Sequence, residues 1–289
     1  MKICIASDIH MEIGGYPGQT KHLKDGGDLL ILAGDITCSR YFSKAAIESK
    51  NYPEAKKGRA NFDKLMKHWC SRFEKVFYIM GNHESYGFVL DNSAPTMRNY
   101  LKETNVRVLE NEAEEFKGVM FLGATLWTDF NKDNPTDMYR AQNSMNDYRT
   151  ISSKRMEEIT YVERNHPNQS IKYGLITPHF IYQKHLASRK FLEYNIEHHK
   201  DKKTVVITHH APSLRCQNTN RYGMELAFSY CSEMDDLVEK STNVALWISG
   251  HNHYNYDFMI GKTRLISNQR GYANHERIAD DFKPMFVEI

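Results

Sequence analysis

Short apolar runs that stop abruptly at polar clusters punctuate this chain. Residues 3–6, 29–33, 76–80, 205–208 and 244–249 are almost entirely apolar, and each halts at Asp, His or Asn, three of them after a glycine. Continuous apolar runs of this length predict strands covered on both faces. Further strands are predicted at 106–109, 119–126, 256–260, 263–267 and 285–289. Phe62, Leu65, Met66, Trp69 and Phe73 form one stripe at helical spacing, and Met224, Ala227, Cys231, Met234 and Val238 another. Both read as helix faces packed on a core. Thr177-Pro178 is an N-cap and N1 pair that opens a helix running towards His199. The segment 127–170 is polar, rich in Asn and Asp and weakly periodic, which predicts a long loop or lid with little regular structure. With no internal repeat and no long linker, residues 1–289 are expected to form a single domain.

Every one of the five leading strands delivers a residue able to bind a metal at its carboxyl end. Ligands of α/β sheets bind outside those ends, so the five point to one crevice. Asp8 and His10 are two apart, as are His251 and His253, and residues i and i+2 of extended backbone face the same way. Glycine before Asp35, Asn82 and His251 lets the backbone turn tightly and approach an ion or a phosphate.

Composition sharpens this picture. The 289 residues hold 14 His but only 5 Cys, scattered and without a CxxC pair. That argues against a disulfide framework and against thiolate ligation, and for a reducing, cytoplasmic setting. The ligand set of carboxylate, imidazole and amide suits Mn or Fe, with Zn possible. The opening MKICIASDIH reads as a buried strand rather than a secretory signal, and no run approaches a membrane span. With 38 Lys+Arg against 36 Asp+Glu the net charge is only +2, which disfavours a nucleic-acid partner. The oligomeric state is not legible.

In order along the chain stand Asp8-Ile9-His10, Gly34-Asp35, Gly81-Asn82-His83-Glu84, His209 and Gly250-His251-Asn252-His253. This series resembles the calcineurin-like metallophosphoesterases, whose motifs read DxH, GD, GNH[D/E], H and GHxH. The resemblance covers residues 8 to 253 and is nearest to small-molecule and uncharacterised bacterial and phage members. It implies a four-layer α/β/β/α sandwich of two mixed sheets. It also implies two metal ions: Asp8, His10 and His253 hold one, Asn82, His209 and His251 the other, and Asp35 bridges them. His210 is the alternative to His209, and otherwise a residue near the substrate. Two ions ~3.5–4 Å apart stabilise both the attacking and the leaving oxygen at phosphorus, and a water bridging them is acidified enough to attack directly. His83 is the candidate for protonating the leaving oxygen.

Departures from the motifs narrow the substrate. Met80 stands where protein Ser/Thr phosphatases of the family carry an arginine, and Asp35-Ile36-Thr37-Cys38-Ser39-Arg40 departs from their second motif. A nucleotide or cyclic nucleotide, or another small phosphomonoester or phosphodiester, is the favoured substrate. A protein phosphatase, a nuclease or end-processing enzyme, and a non-catalytic metal-bound interaction module are the alternatives. Asn146, Arg149 and Arg270 are candidate phosphate contacts, and Tyr86 and Tyr148 candidate stacking surfaces.

Overall fold

The structure, a computed structural model, describes residues 1–15, 26–154, 173–217 and 224–289. Strands β1 (Lys2–Ala6), β2 (Gly27–Ala33), β3 (Phe73–Ile79) and β4 (Val106–Leu109) run parallel, with β13 (Met285–Glu288) antiparallel at one edge. Their order is β13-β1-β2-β3-β4. A second sheet contains β5 (Glu112–Phe116), β6 (Val119–Ala124), β9 (Thr204–Thr208), β10 (Val244–Ile248), β11 (Asp257–Ile260) and β12 (Thr263–Ile266), in the order β11-β12-β10-β9-β6-β5. Its inner strands are parallel and its two edges antiparallel.

Alternation of side chains builds the layers. Ile3, Ile5, Leu29, Ile31, Phe77 and Ile79 of the first sheet meet Phe121, Val205, Ile207, Leu246 and Ile248 of the second in one buried layer. The intervening residues Cys4, Leu30, Leu32, Val76 and Tyr78 pack outwards on Phe62, Leu65, Trp69, Met97 and Leu101. On the far side, Leu122, Val206, Trp247 and Leu265 pack on Leu192, Ile196, Met234 and Val238. The expected α/β/β/α sandwich of two mixed sheets is therefore present. Because each central strand is covered on both faces, its sequence is apolar throughout rather than alternating.

All ten predicted strands form, with ends shifted by a few residues. The run expected at 119–126 stops at Ala124, since Leu126 and Trp127 take left-handed backbone (φ 69° and 57°). Thr177 caps the helix Pro178–His198, its Oγ1 accepting from the Phe180 N–H at 3.2 Å. The stripe from Phe62 is shorter than expected: the helix Pro53–His68 ends before Trp69, and Phe73 opens β3. The stripe from Met224 to Val238 is not one helix. It divides into the turns Met224–Leu226 and Ala227–Tyr230 and the helix Asp235–Lys240. Cys231 is extended between them and bridges Ala211, whose carbonyl accepts from Ser232 N–H at 2.9 Å.

The expectation of little regular structure at 127–170 fails for 127–154. Here lie the helix Pro135–Ser144, capped by the Asn134 side-chain oxygen Oδ1, the turn Asp147–Thr150 and strand β7 (Ser152–Lys154), paired with β8 (Tyr173–Leu175). Trp127, Phe130, Ala141, Tyr148, Ile151, Ile176 and Ile181 form its own buried cluster. The Asn and Asp residues that hide the periodicity are caps: Asp129 accepts from Asn131 N–H at 3.1 Å, where the chain is left-handed (φ 54° at Asn131). Residues 155–170 of that expectation lie outside the described residues.

Candidate metal centre

Strands β1, β2 and β3 end side by side, as do β9 and β10, and the loops after them meet. The Asp8 carboxylate accepts from the His251 N–H at 3.0 Å, joining the loop after β1 to the loop after β10. Gly250 N–H donates to the His209 carbonyl at 2.9 Å. The approach is so close that a β-carbon on Gly250 would stand 2.4 Å from Asp8 Oδ2, and one on Gly81 would stand 2.1 Å from Asp35 Oδ1. Any other residue at either place would displace the carboxylates.

Six of the seven residues expected as ligands fall into two buried donor groups, Asp8–His10–His253 and Asp35–His209–His251, each with ligand atoms within 4.8 Å of one another. The seventh, Asn82, places Oδ1 3.1 Å from His209 Nε2. Asp35 lies between the groups, Oδ2 3.7 Å from His10 Nε2 and Oδ1 3.3 Å from His209 Nε2. Five of these residues, Asp8, His10, Asp35, His251 and His253, hold left-handed backbone with φ between 47° and 74°. Left-handed residues without glycine are strained, by about 1–3 kcal/mol each, and cluster where function requires a fixed geometry.

The donor atoms fit cations. Nδ1 of His10, His209 and His253 face Glu12 Oε1 (3.0 Å), the Ala33 carbonyl (2.9 Å) and Glu276 Oε2 (2.7 Å). These partners accept hydrogen bonds, so each ring carries its proton on Nδ1 and turns a bare Nε2 inwards. The Nε2 atoms of His10 and His253 approach to 3.0 Å, and Nε2 of His251 is buried without a hydrogen-bond partner among the described residues. Lone pairs facing one another in this way call for a positive charge between them. Burial pushes the His209 imidazole down, but the Asp35 carboxylate outweighs it and lifts the ring to about 10. The negative charge that would favour a proton at that Nε2 favours a cation there equally.

His83 sits at the edge of this centre. Its backbone N–H donates to Asp35 Oδ1 at 2.9 Å, and its Nδ1 faces Glu12 Oε1 at 2.9 Å. Burial lowers its basicity, yet the charges of Asp35 and Glu12 raise it to about 9. Its ring stacks on Tyr86 with centroids 3.9 Å apart, and Nε2 lies 3.3 Å from the Tyr272 hydroxyl. Glu84, next in sequence, is wholly buried and accepts from the N–H groups of Asp35 (2.9 Å), Ile36 (2.7 Å) and Gly81 (2.7 Å) and from Tyr78 OH (2.7 Å). It fastens the loop after β2 to the loop after β3.

A cavity of about 240 Å³ opens onto the centre, lined by Asp35, Asn82, His83, His251 and His253 and by Tyr86, Ser144, Met145, Asn146, Tyr230 and Tyr272. Tyr86 and Asn146, two of the expected substrate contacts, are thus among its lining residues. The other expected contacts do not line it. Arg149 folds back onto the Asn146 side chain and the Asn143 carbonyl. Arg270 is buried and donates to the Ile9 carbonyl at 2.8 Å, where a guanidinium serves the turn after β1. Tyr148 packs in the cluster under 127–154. His210 faces the Thr125 carbonyl and lies against His251, with centroids 4.0 Å apart, outside both donor groups.

Sequence reasoning missed Glu12, Asp147, Tyr230, Tyr272 and Glu276. Asp147 and Tyr272 are neighbours in sequence of the candidate contacts Asn146 and Arg270, but without the fold nothing marks them as neighbours of the motif residues.

The chain has relatives among known proteins. Residues 1–255 match the family model described as calcineurin-like phosphoesterase. An uncharacterised protein, L509, of Acanthamoeba polyphaga mimivirus is 24% identical over 247 residues, 79% of this chain and 80% of that one. The crystal structure of a phosphopantetheinyl hydrolase from Mycobacterium tuberculosis superimposes with TM-score 0.59 at 16% identity, covering all of this chain and 95% of that one. A dimetal phosphatase from Danio rerio superimposes with TM-score 0.46 at 15% identity, over 94% and 88%. With its motif residues gathered at the strand ends and its family model spanning most of the sequence, the chain belongs to the calcineurin-like phosphoesterases and is a metal-dependent phosphoester hydrolase.

Proposed function

We propose that this enzyme hydrolyses a small phosphoester, a nucleotide or cyclic nucleotide above others, with two ions of Mn or Fe, or of Zn, held by Asp8, His10, Asp35, Asn82, His209, His251 and His253. The observation that carries the reading is Asp35, whose two carboxylate oxygens face the imidazoles of different donor groups. A shared anion between two cations reduces their repulsion. When bound, the two ions supply charge at the phosphoryl oxygens and at the attacking water.

The chain's own residues do the rest. His83 presents Nε2 to the cavity and hands its proton to the leaving oxygen. Tyr86, Tyr230 and Tyr272 give the cavity aromatic faces that suit a base or another flat group. Ser144, Met145 and Asn146 are part of its wall, which supports 127–154 as a cover that limits substrate size. The cysteines, all free and buried, support a reducing, cytoplasmic setting, and no described helix is long and apolar enough to cross a membrane.

The test is a panel of mono-, di- and cyclic nucleotides, a phosphopantetheinyl ester, a phosphopeptide and DNA, offered to Mn²⁺-loaded protein. Turnover of a nucleotide that is lost in His83→Ala is expected. Turnover of the phosphopeptide or DNA alone would overturn the substrate class, and inertness throughout would favour a binding module.

A further inference from the structure

The turn after β1 carries a carboxylate that lies outside every motif. Glu12 stands two residues beyond His10, on the short turn Met11–Gly14. Its Oε1 is 3.0 Å from Nδ1 of His10 and 2.9 Å from Nδ1 of His83, and its side chain is only 8% exposed. An ionised carboxylate only accepts, so both rings carry a proton on the nitrogen that faces it. One oxygen therefore determines which nitrogen each ring presents to the centre. For His10 that is Nε2, 3.7 Å from Asp35 Oδ2; for His83 it is Nε2, beside Tyr272 and the cavity.

We propose that Glu12 is a positioning residue shared by the metal centre and the proton donor, fixing the tautomer and ring plane of His10 and of His83 together. The part played by His83 rests on the function proposed above. Two observations favour this over simpler roles. The other oxygen, Oε2, is buried without a hydrogen-bond partner among the described residues, a costly arrangement for a residue that served stability alone. The same three side chains lie close enough to be mistaken for a further metal site. Their separations of 2.9 and 3.0 Å, however, are those of hydrogen bonds. Ligands ~2.0–2.1 Å from a tetrahedral ion stand about 3.3 Å apart. Both rings spend Nδ1 on Glu12 and keep Nε2 for other work.

The experiment pairs a spectroscopic with a kinetic measurement on the full chain and Glu12→Gln. In ¹⁵N NMR of the Zn²⁺-loaded protein, His10 and His83 are expected to show protonated Nδ1. Their Nδ1–H signals should shift upfield in Glu12→Gln, where the acceptor has lost its charge. A protonated Nε2 with bare Nδ1 on either ring of the wild type, or signals unmoved in the variant, would overturn the proposal. So would a third zinc per chain that Glu12→Gln loses. In kinetics, Glu12→Gln is expected to lower kcat about 10- to 100-fold on an alkyl phosphoester, whose leaving oxygen needs a proton. On the p-nitrophenyl ester, whose leaving group needs none, the fall should be at least about tenfold smaller. Equal falls on both esters would point to general disruption and overturn it. If the wild type cleaves neither ester, the phosphoesterase substrate reading fails, while the NMR result still decides the role of Glu12.

Discussion

The Asp147 carboxylate accepts a 2.7 Å hydrogen bond from Nδ2 of Asn82. Both side chains are buried, and 65 residues of chain separate them. An amide has two chemically different ends, and this bond decides that Nδ2 points away from the centre while Oδ1 points in, 3.1 Å from His209 Nε2. The segment 127–154 therefore orients an expected metal ligand as well as contributing Ser144, Met145 and Asn146 to the cavity lining.

Removing that constraint should weaken the second ion specifically. In Asp147→Ala, one of the two bound ions is expected to lose about 10–100-fold in affinity, the usual cost of losing a ligand's outer partner. Competition with a metal-binding dye measures it. Two unchanged affinities would show that Asn82 is oriented by something else.

Glu84 gathers four backbone N–H groups, of Asp35, Ile36, Thr37 and Gly81, and the Tyr78 hydroxyl around one buried carboxylate. A Gln in its place turns two N–H donors on those donors. Glu84→Gln is expected to destabilise the fold by about 2–4 kcal/mol, measured by denaturant unfolding, because a buried donor left without its acceptor costs about 1–3 kcal/mol. A loss under 1 kcal/mol would mean that the two loops are held together by other contacts.

Stability should also depend on pH through His185, on the long helix Pro178–His198. Burial is the main cause that holds its imidazole down, to about 4, and Nδ1 faces the Leu126 carbonyl at 3.2 Å. The folded chain therefore binds its proton less readily than the unfolded chain, whose histidines titrate near 6.5. Above 6.5 the residue is neutral in both states and costs nothing. As pH falls from 6.5 towards 4 the unfolded state gains the proton and stability drops, by about 3 kcal/mol at most. Thermal unfolding of wild type and His185→Leu across this range measures the difference. The variant should show the shallower decline, and parallel curves would contradict the assignment.

Much of this arrangement was legible in the sequence for a physical reason. A strand buried on both faces is apolar throughout, and a metal centre at its end is a sudden cluster of Asp, His and Asn. Together they make the five junctions from Asp8 to His253 stand out, and the choice of His209 over His210 agrees with the donor groups. Strand β5 was not legible, because Glu112, Glu114 and Glu115 on an edge strand read as loop. Helix Pro135–Ser144 was hidden by the polar caps that start it. Long-range partners were the least legible: Glu12 for His83, Asp147 for Asn82 and Glu276 for His253 are chemically ordinary acids until the fold brings them within hydrogen-bond reach. The candidate contacts Arg149 and Arg270 bond backbone carbonyls here, which a guanidinium binds as readily as phosphate.

Whether two ions share Asp35 is decided by anomalous diffraction from crystals of the Mn²⁺-loaded protein. Two peaks are predicted, about 3.5–4 Å apart, one beside Asp8, His10 and His253 and one beside Asn82, His209 and His251, with the Asp35 carboxylate between them. In Asp35→Asn the pair should give way to one peak or none. A single peak in the wild type, or two peaks that persist unchanged without the Asp35 carboxylate, would contradict the account.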